Sequence, residues 1–251
     1  MTQSKTNVER PWLKHVVPGN PKEVEIPEIS LPQLIDESIA TYPNHTAITF
    51  YGKTFSYKEL SNNIKKATKG LSKIGVGKGD RVAIMLPNCP QYPVSFYSIL
   101  ACGGIVVQVN PMYQASELIH ILNDSGAKAI IVMDQLLPLI EGIKAQTPIQ
   151  DVFPVSVESA YLPDELLIED ESELQTVEIN PVEDVAVLQY TGGTTGTPKG
   201  AMLTHFNIVA NTLQSEATST VKVKKGEERV LTISPLFHVY GMTSAMSVTF
   251  Y

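Results

Sequence analysis

The sequence predicts an α/β protein of alternating strands and helices, and three observations carry that expectation. The runs "RVAIMLP", "IVVQVN", "KAIIVM" and "VAVLQY" are almost wholly apolar, the pattern of strands buried on both faces of a parallel sheet. Most of the segments between them repeat apolar residues at helical spacing, so the chain alternates its period rather than keeping one. With 251 residues, 43% of them hydrophobic, there is material for a substantial core.

Taken in order, residues 1–30 carry several prolines and little periodicity, and read as an extended N-terminal arm. "TAITFYGKTFSY" is a hairpin turning at Gly52 and Lys53. Ser56 and Glu59 then form a capping box for a helix whose apolar face holds Leu60, Ile64, Ala67 and Leu71. Gly75 to Gly79 close that helix before "RVAIMLP". "PQYPVSFYSILACGG" follows as helix, "IVVQVN" as strand, "QASELIHILNDSG" as helix and "KAIIVM" as strand. The acidic stretch Pro163 to Asp184 reads as a solvated loop or surface helix leading to the strand "VAVLQY". "AML" is a short strand, Thr204 caps the helix "HFNIVANTLQ", and "RVLTIS" (Arg229 to Ser234) is a further strand running into the turn "PLFHVYGM".

The net charge of −7, with no basic block, excludes a general affinity for nucleic acid. The two cysteines, Cys89 and Cys102, supply neither a disulfide framework nor a zinc pattern and read as buried thiols. The first residues lack the apolar centre of a signal peptide, and no apolar run approaches a membrane span. These features place the protein in the cytoplasm, leaving peripheral membrane contact and a homodimer open.

The most informative stretch is "QYTGGTTGTPKGAMLTH", which leaves a strand end, where open α/β sheets place ligands. Glycines 192, 193, 196 and 200 let backbone N–H groups turn toward one point, and the hydroxyls of Thr191, Thr194, Thr195 and Thr197 add donors. Lys199 adds a mobile positive charge. Such a cup suits the phosphates of a nucleoside triphosphate. It is not a Walker loop, which needs Gly-Lys-Ser/Thr followed by a helix; here Pro198 precedes Lys199 and Gly200 follows it. A turn rich in small residues has a similar composition, but strand context, dense hydroxyls and a single lysine coincide here.

"YTGGTTGTPKGAMLTH" closely resembles the phosphate-binding motif of the adenylate-forming superfamily. "PLFHVYG" (Pro235 to Gly241) resembles that family's aromatic-histidine motif beside the acyl pocket and the α-phosphate. "RPWLKH", "YGKTFSYKEL", "GVGKGDRVAIMLPNCPQY", "VVQVNPMY" and "ELIHILNDSGAK" are similar to bacterial medium- or long-chain fatty-acid CoA ligases. The resemblance implies part of the large N-terminal domain of the adenylate-forming fold. It also implies a two-step reaction: a fatty acid or other carboxylate attacks the α-phosphate of Mg2+-ATP, and coenzyme A then takes the acyl group.

On that resemblance Thr191, Gly192, Gly193, Thr194, Thr195, Gly196, Thr197, Lys199 and Gly200 hold the ATP phosphates. Lys199 and His238 act in catalysis, and His238, Val239, Tyr240 and Gly241 face the acyl substrate. No residue is assigned as a metal ligand. The resemblance stops at Tyr251, so 31–251 reads as an incomplete N-terminal AMP-binding (adenylation) domain without its C-terminal partner, expected to be inactive alone. The near rival is an aryl-CoA ligase or a peptide-synthetase adenylation domain. Rivals from other classes are a non-catalytic interaction or regulatory fragment and an ordinary P-loop phosphohydrolase.

Overall fold

The four apolar runs lie side by side, with one further strand at each edge, because a strand with no polar face can be stable only when covered on both sides. In the computed structural model, which describes residues 10–169, 176–191, 198–219 and 224–251, they form one sheet. Strands β3 (Arg81–Met85), β4 (Ile105–Gln108), β5 (Ala129–Met133), β6 (Asp151–Val155) and β7 (Val185–Thr191) are parallel, and β8 (Lys199–Thr204) returns antiparallel to β7. The order is β6-β5-β3-β4-β7-β8. The hairpin β1 (Thr46–Phe50) and β2 (Lys53–Ser56) forms a separate two-stranded sheet, turning through Gly52 at φ 81°.

Alternate residues of each strand enter two different cores. Val82, Ile84, Val106, Ile131 and Val187 pack with helices α1 (Leu31–Thr41), α2 (Tyr57–Lys73), α3 (Gln91–Ala101) and α6 (His205–Ala217). Ala83, Met85, Val107, Ile130 and Val132 pack with α4 (Ala115–Ser125) and α5 (Leu137–Ile143). This period-2 division is why the strands read as continuously apolar.

The helices start where their caps dictate. Ser56 accepts the N–H of Glu59 while the Glu59 carboxylate accepts the N–H of Ser56, and Leu60, Ile64, Ala67 and Leu71 are buried as their spacing requires. Thr204 caps α6 in the same way with Asn207. Residues 10–30 contain one turn of 3-10 helix, Pro11–His15, and otherwise no regular element. Ser30 then caps α1 reciprocally with Gln33.

Two expectations need revision. "RVLTIS" is not a strand: Arg229 to Ser234 has no ladder partner among the described residues, and Val230, Leu231 and Ile233 lie exposed. Its carbonyls are held instead by a side chain, since Asn88 Nδ2 donates to Thr232 O and Ser234 O. β6 and α5 were not foreseen, because β6 is an edge strand broken by Pro154, a residue that edge positions tolerate. The acidic stretch contains no helix among its described residues, but it is pinned by Leu166, which is fully buried. A Cβ on Gly70 would sit 2.3 Å from the Leu166 carbonyl oxygen, so only glycine admits that crossing.

Candidate functional site

The carboxyl ends of β3, β4 and β7 point the same way, and the stems of the glycine-threonine loop and the turn over residues 235–241 lie there. Thr191 and Lys199 are the last register partners of β7 and β8, so the pairing that closes the glycine-threonine loop also sets its lysine at the mouth. Both residues are exposed. Gly192, Gly193, Thr194, Thr195, Gly196 and Thr197 lie outside the described residues.

The stems of the loop are held by neighbours. Gly200 lies against the ring of Tyr190, where a Cβ would meet the ring at 3.0 Å. The Tyr190 hydroxyl donates to Asp124 Oδ2 at 2.6 Å, and burial together with that carboxylate pushes the phenol well above its ordinary range, so it stays a donor. On the other stem, His120 Nε2 lies 2.8 Å from Pro198 O.

The second turn is built on three buried or half-buried amides. Asn88, beyond the end of β3, accepts the N–H of Leu236 at 2.8 Å. Gln108, at the end of β4, donates to Leu236 O at 3.2 Å and to the Tyr92 hydroxyl at 3.0 Å. Gln189 of β7 donates to Phe237 O at 3.5 Å. Gln108 and Gln189 are register partners, so two adjacent strands present matching amides to the same turn. Their Oε1 atoms have no partner among the described residues, leaving acceptor capacity at the strand ends.

His238 is exposed; its N–H reaches Pro235 O at 3.1 Å and its carbonyl accepts from Met242 at 2.9 Å, starting the π-helical segment Gly241–Ser247. Gly241 is obligatory there, since a Cβ would fall 2.0 Å from Pro235 O. Val239 and Tyr240 are exposed, while the apolar cavity of about 480 Å³ beside the turn is walled by Ile48, Phe50, Pro93, Leu231, Leu236 and Met246. Gln189, two residues before Thr191, links the strand that leads into the glycine-threonine loop to the His238 turn.

Nothing in the sequence marks His120, Asp124, Asn88 or Gln108 as part of this site. The i, i+4 separation of His120 and Asp124 was visible, but their partners are 78 and 66 residues away.

The parallel sheet, with the stems of a glycine-threonine loop and an aromatic-histidine turn at one edge, is the fold of the N-terminal domain of adenylate-forming enzymes. The chain belongs to the AMP-binding enzyme family, which matches residues 35–251. It is 39% identical to the long-chain-fatty-acid–CoA ligase of Bacillus subtilis (strain 168), across 95% of this chain and 48% of that protein. It is 35% identical to the ligase of the same name from Escherichia coli O6:H1, across 94% and 47%. The crystal structure of a long-chain-fatty-acid-CoA ligase from Archaeoglobus fulgidus superposes with a TM-score of 0.75 at 34% identity, covering 90% of this chain and 46% of that one. The chain thus spans about half the length of the curated relatives it matches. Among the described residues no helix is long and apolar enough to cross a membrane.

Proposed function

We propose that this chain supplies the triphosphate clamp and the carboxylate-side turn of a fatty-acid–CoA ligase, which forms an acyl-adenylate from ATP and passes the acyl group to coenzyme A. The observation that carries this reading is the Thr191–Lys199 register pair, which closes a donor-rich loop at the carboxyl edge of the sheet, with Gln189 joining it to the His238 turn.

The first half-reaction brings a carboxylate to a phosphate, so two anions must be held together. Positioned N–H and hydroxyl donors and one ammonium at the leaving pyrophosphate offset that repulsion. Gly192, Gly193, Thr194, Thr195, Gly196 and Thr197 complete the cup whose stems are Thr191, Lys199 and Gly200. His238, with an exposed ring at the same edge, orients the carboxylate or the adenylate; it need not accept a proton, because a fatty acid is already ionised at neutral pH. Val239, Tyr240 and Gly241 carry the acyl side. Among the described residues no three His, Cys, Asp or Glu side chains gather to hold a metal. The domain reading is an arm over 1–30 and an adenylation-domain segment over 31–251. Location in the cytoplasm, peripheral membrane contact and homodimer formation belong to the same proposal.

The test is the nucleotide product, measured in a protein that carries this chain as its N-terminal half and supplied with fatty acid, ATP and coenzyme A. AMP and pyrophosphate are expected; ADP would overturn the reading. Lys199→Ala should slow adenylate formation far more than transfer from a preformed acyl-adenylate, and equal loss in both would contradict the leaving-group role.

A further inference from the structure

We propose that His120 is a positioning residue for Lys199, acting through the peptide that precedes it. The inference rests on the phosphate-clamp reading and assigns that clamp a support outside its own motif.

The platform is α4, fixed on the sheet by Leu118, Ile121 and Leu122, all fully buried. It is capped at its start by Gln114 and Glu117 and at its end by Gly126 in the left-handed region at φ 64°. His120 and Asp124 are one turn apart and so share a face. That face holds both stems of the loop: Asp124 takes the hydroxyl of Tyr190 on the incoming strand, and His120 takes the carbonyl of Pro198 on the outgoing one.

The chemistry of Pro198 makes the second tether informative. A carbonyl only accepts, so His120 Nε2 carries the proton. Proline's ring already fixes φ near its usual value, and the residue has no N–H with which to join a ladder. What remains free is ψ, the angle that decides where the next residue points. Holding the Pro198 oxygen fixes that angle, and the next residue is Lys199. The Tyr190 ring, pressed against Gly200 and held by Asp124, confines the backbone on the far side of the lysine. Lys199 is therefore bracketed from one helix face, and its side chain leaves the backbone in one fixed direction, so fewer of its rotamers miss the phosphates.

The experiment is a titration of inorganic tripolyphosphate into the 251-residue chain, followed by amide NMR so that weak binding is measurable. It compares wild type, His120→Ala, His120→Gln, Lys199→Ala and the double variant His120→Ala/Lys199→Ala, with thermal unfolding recorded for each. His120→Ala should weaken binding about three- to ten-fold, the range expected for one neutral hydrogen bond. His120→Gln, whose amide N–H can take the place of Nε2–H, should stay within about twofold of wild type. In the Lys199→Ala background the His120→Ala loss should vanish, because a residue that acts through Lys199 has nothing left to position.

Unchanged affinity in His120→Ala overturns the inference. So does the same fold-loss with and without Lys199, which marks a general structural effect. If tripolyphosphate fails to bind wild type, or binds Lys199→Ala equally well, the clamp reading falls and the inference falls with it.

Discussion

His205 accepts the backbone N–H of Leu31 through Nδ1 at 3.2 Å, joining the first residue of α6 to the first residue of α1 across 174 positions of sequence. The ring is 1% exposed, and burial, partly opposed by the nearby Asp184 carboxylate, holds its pKa down from 6.5 to about 4. The unfolded chain therefore binds a proton between those values that the folded chain refuses, and stability must rise with pH through that window. At about 1.36 kcal/mol per unit, the folded state should lose roughly 3 kcal/mol as pH falls from above 6.5 to 4. Urea unfolding at pH 7, 6 and 5 should show the loss well before ordinary carboxylates titrate. His205→Asn, which keeps an acceptor but cannot titrate, should flatten the slope; an unchanged slope in that variant would assign it to other groups.

The two thiols should be silent in the folded protein. Cys89 and Cys102 are 5% and 2% exposed, and burial pushes the Cys89 thiol up to about 12 and raises that of Cys102. The thiolate is the reactive form, so at pH 8 Cys89 should react roughly a thousand-fold more slowly than a free cysteine. A thiol-reactive chromophore should count no cysteines in buffer and two in urea. Fast labelling of either in buffer would contradict the packing of α3.

Local chemistry made much of this fold readable. The capping box of Ser56 and Glu59, the buried face from Leu60 to Leu71 and the two-sided burial of "RVAIM" all follow from contacts within a few residues or from one period. What was not readable depends on distant partners. Arg229 to Ser234 has strand composition, yet a strand exists only with a neighbour, and this segment is held by Asn88 instead. Asp151–Val155 has a proline and became a strand because β5 offers an edge. At the site, the motif residues announced themselves by composition, whereas the amides and the α4 face that hold them did not. A glutamine beneath a turn, or a histidine facing a proline carbonyl, has no signature until the chain is folded.

Two glycines should respond oppositely to the same added methyl. At Gly241 a Cβ would meet Pro235 O at 2.0 Å, a backbone atom that cannot move without displacing the His238 turn. Gly241→Ala should therefore destabilise by about 2–4 kcal/mol. At Gly142, within α5, a Cβ meets nothing within 4 Å, so alanine's helix preference should stabilise by about 0.5–1 kcal/mol. Chemical unfolding of both variants checks the pair, and equal effects would mean that the Pro235–Gly241 approach is not as close as described.

Asn88 makes three bonds to one turn: it accepts from Leu236 N and donates to Thr232 O and Ser234 O. Each such bond contributes about 1 kcal/mol net, so Asn88→Ala should cost about 2–3 kcal/mol and shift the NMR signals of His238, which follows the released segment. Asp is the sharper substitution. Its carboxylate can still accept from Leu236, but it has no N–H to offer and places negative charge beside two carbonyl oxygens. Asn88→Asp should therefore be at least as damaging as Asn88→Ala at pH 7 and recover partly at pH 3, where a protonated carboxyl regains one donor. An Asp variant as stable as wild type at pH 7 would show that the donated bonds do not hold the turn and that Leu236 N–H alone anchors it.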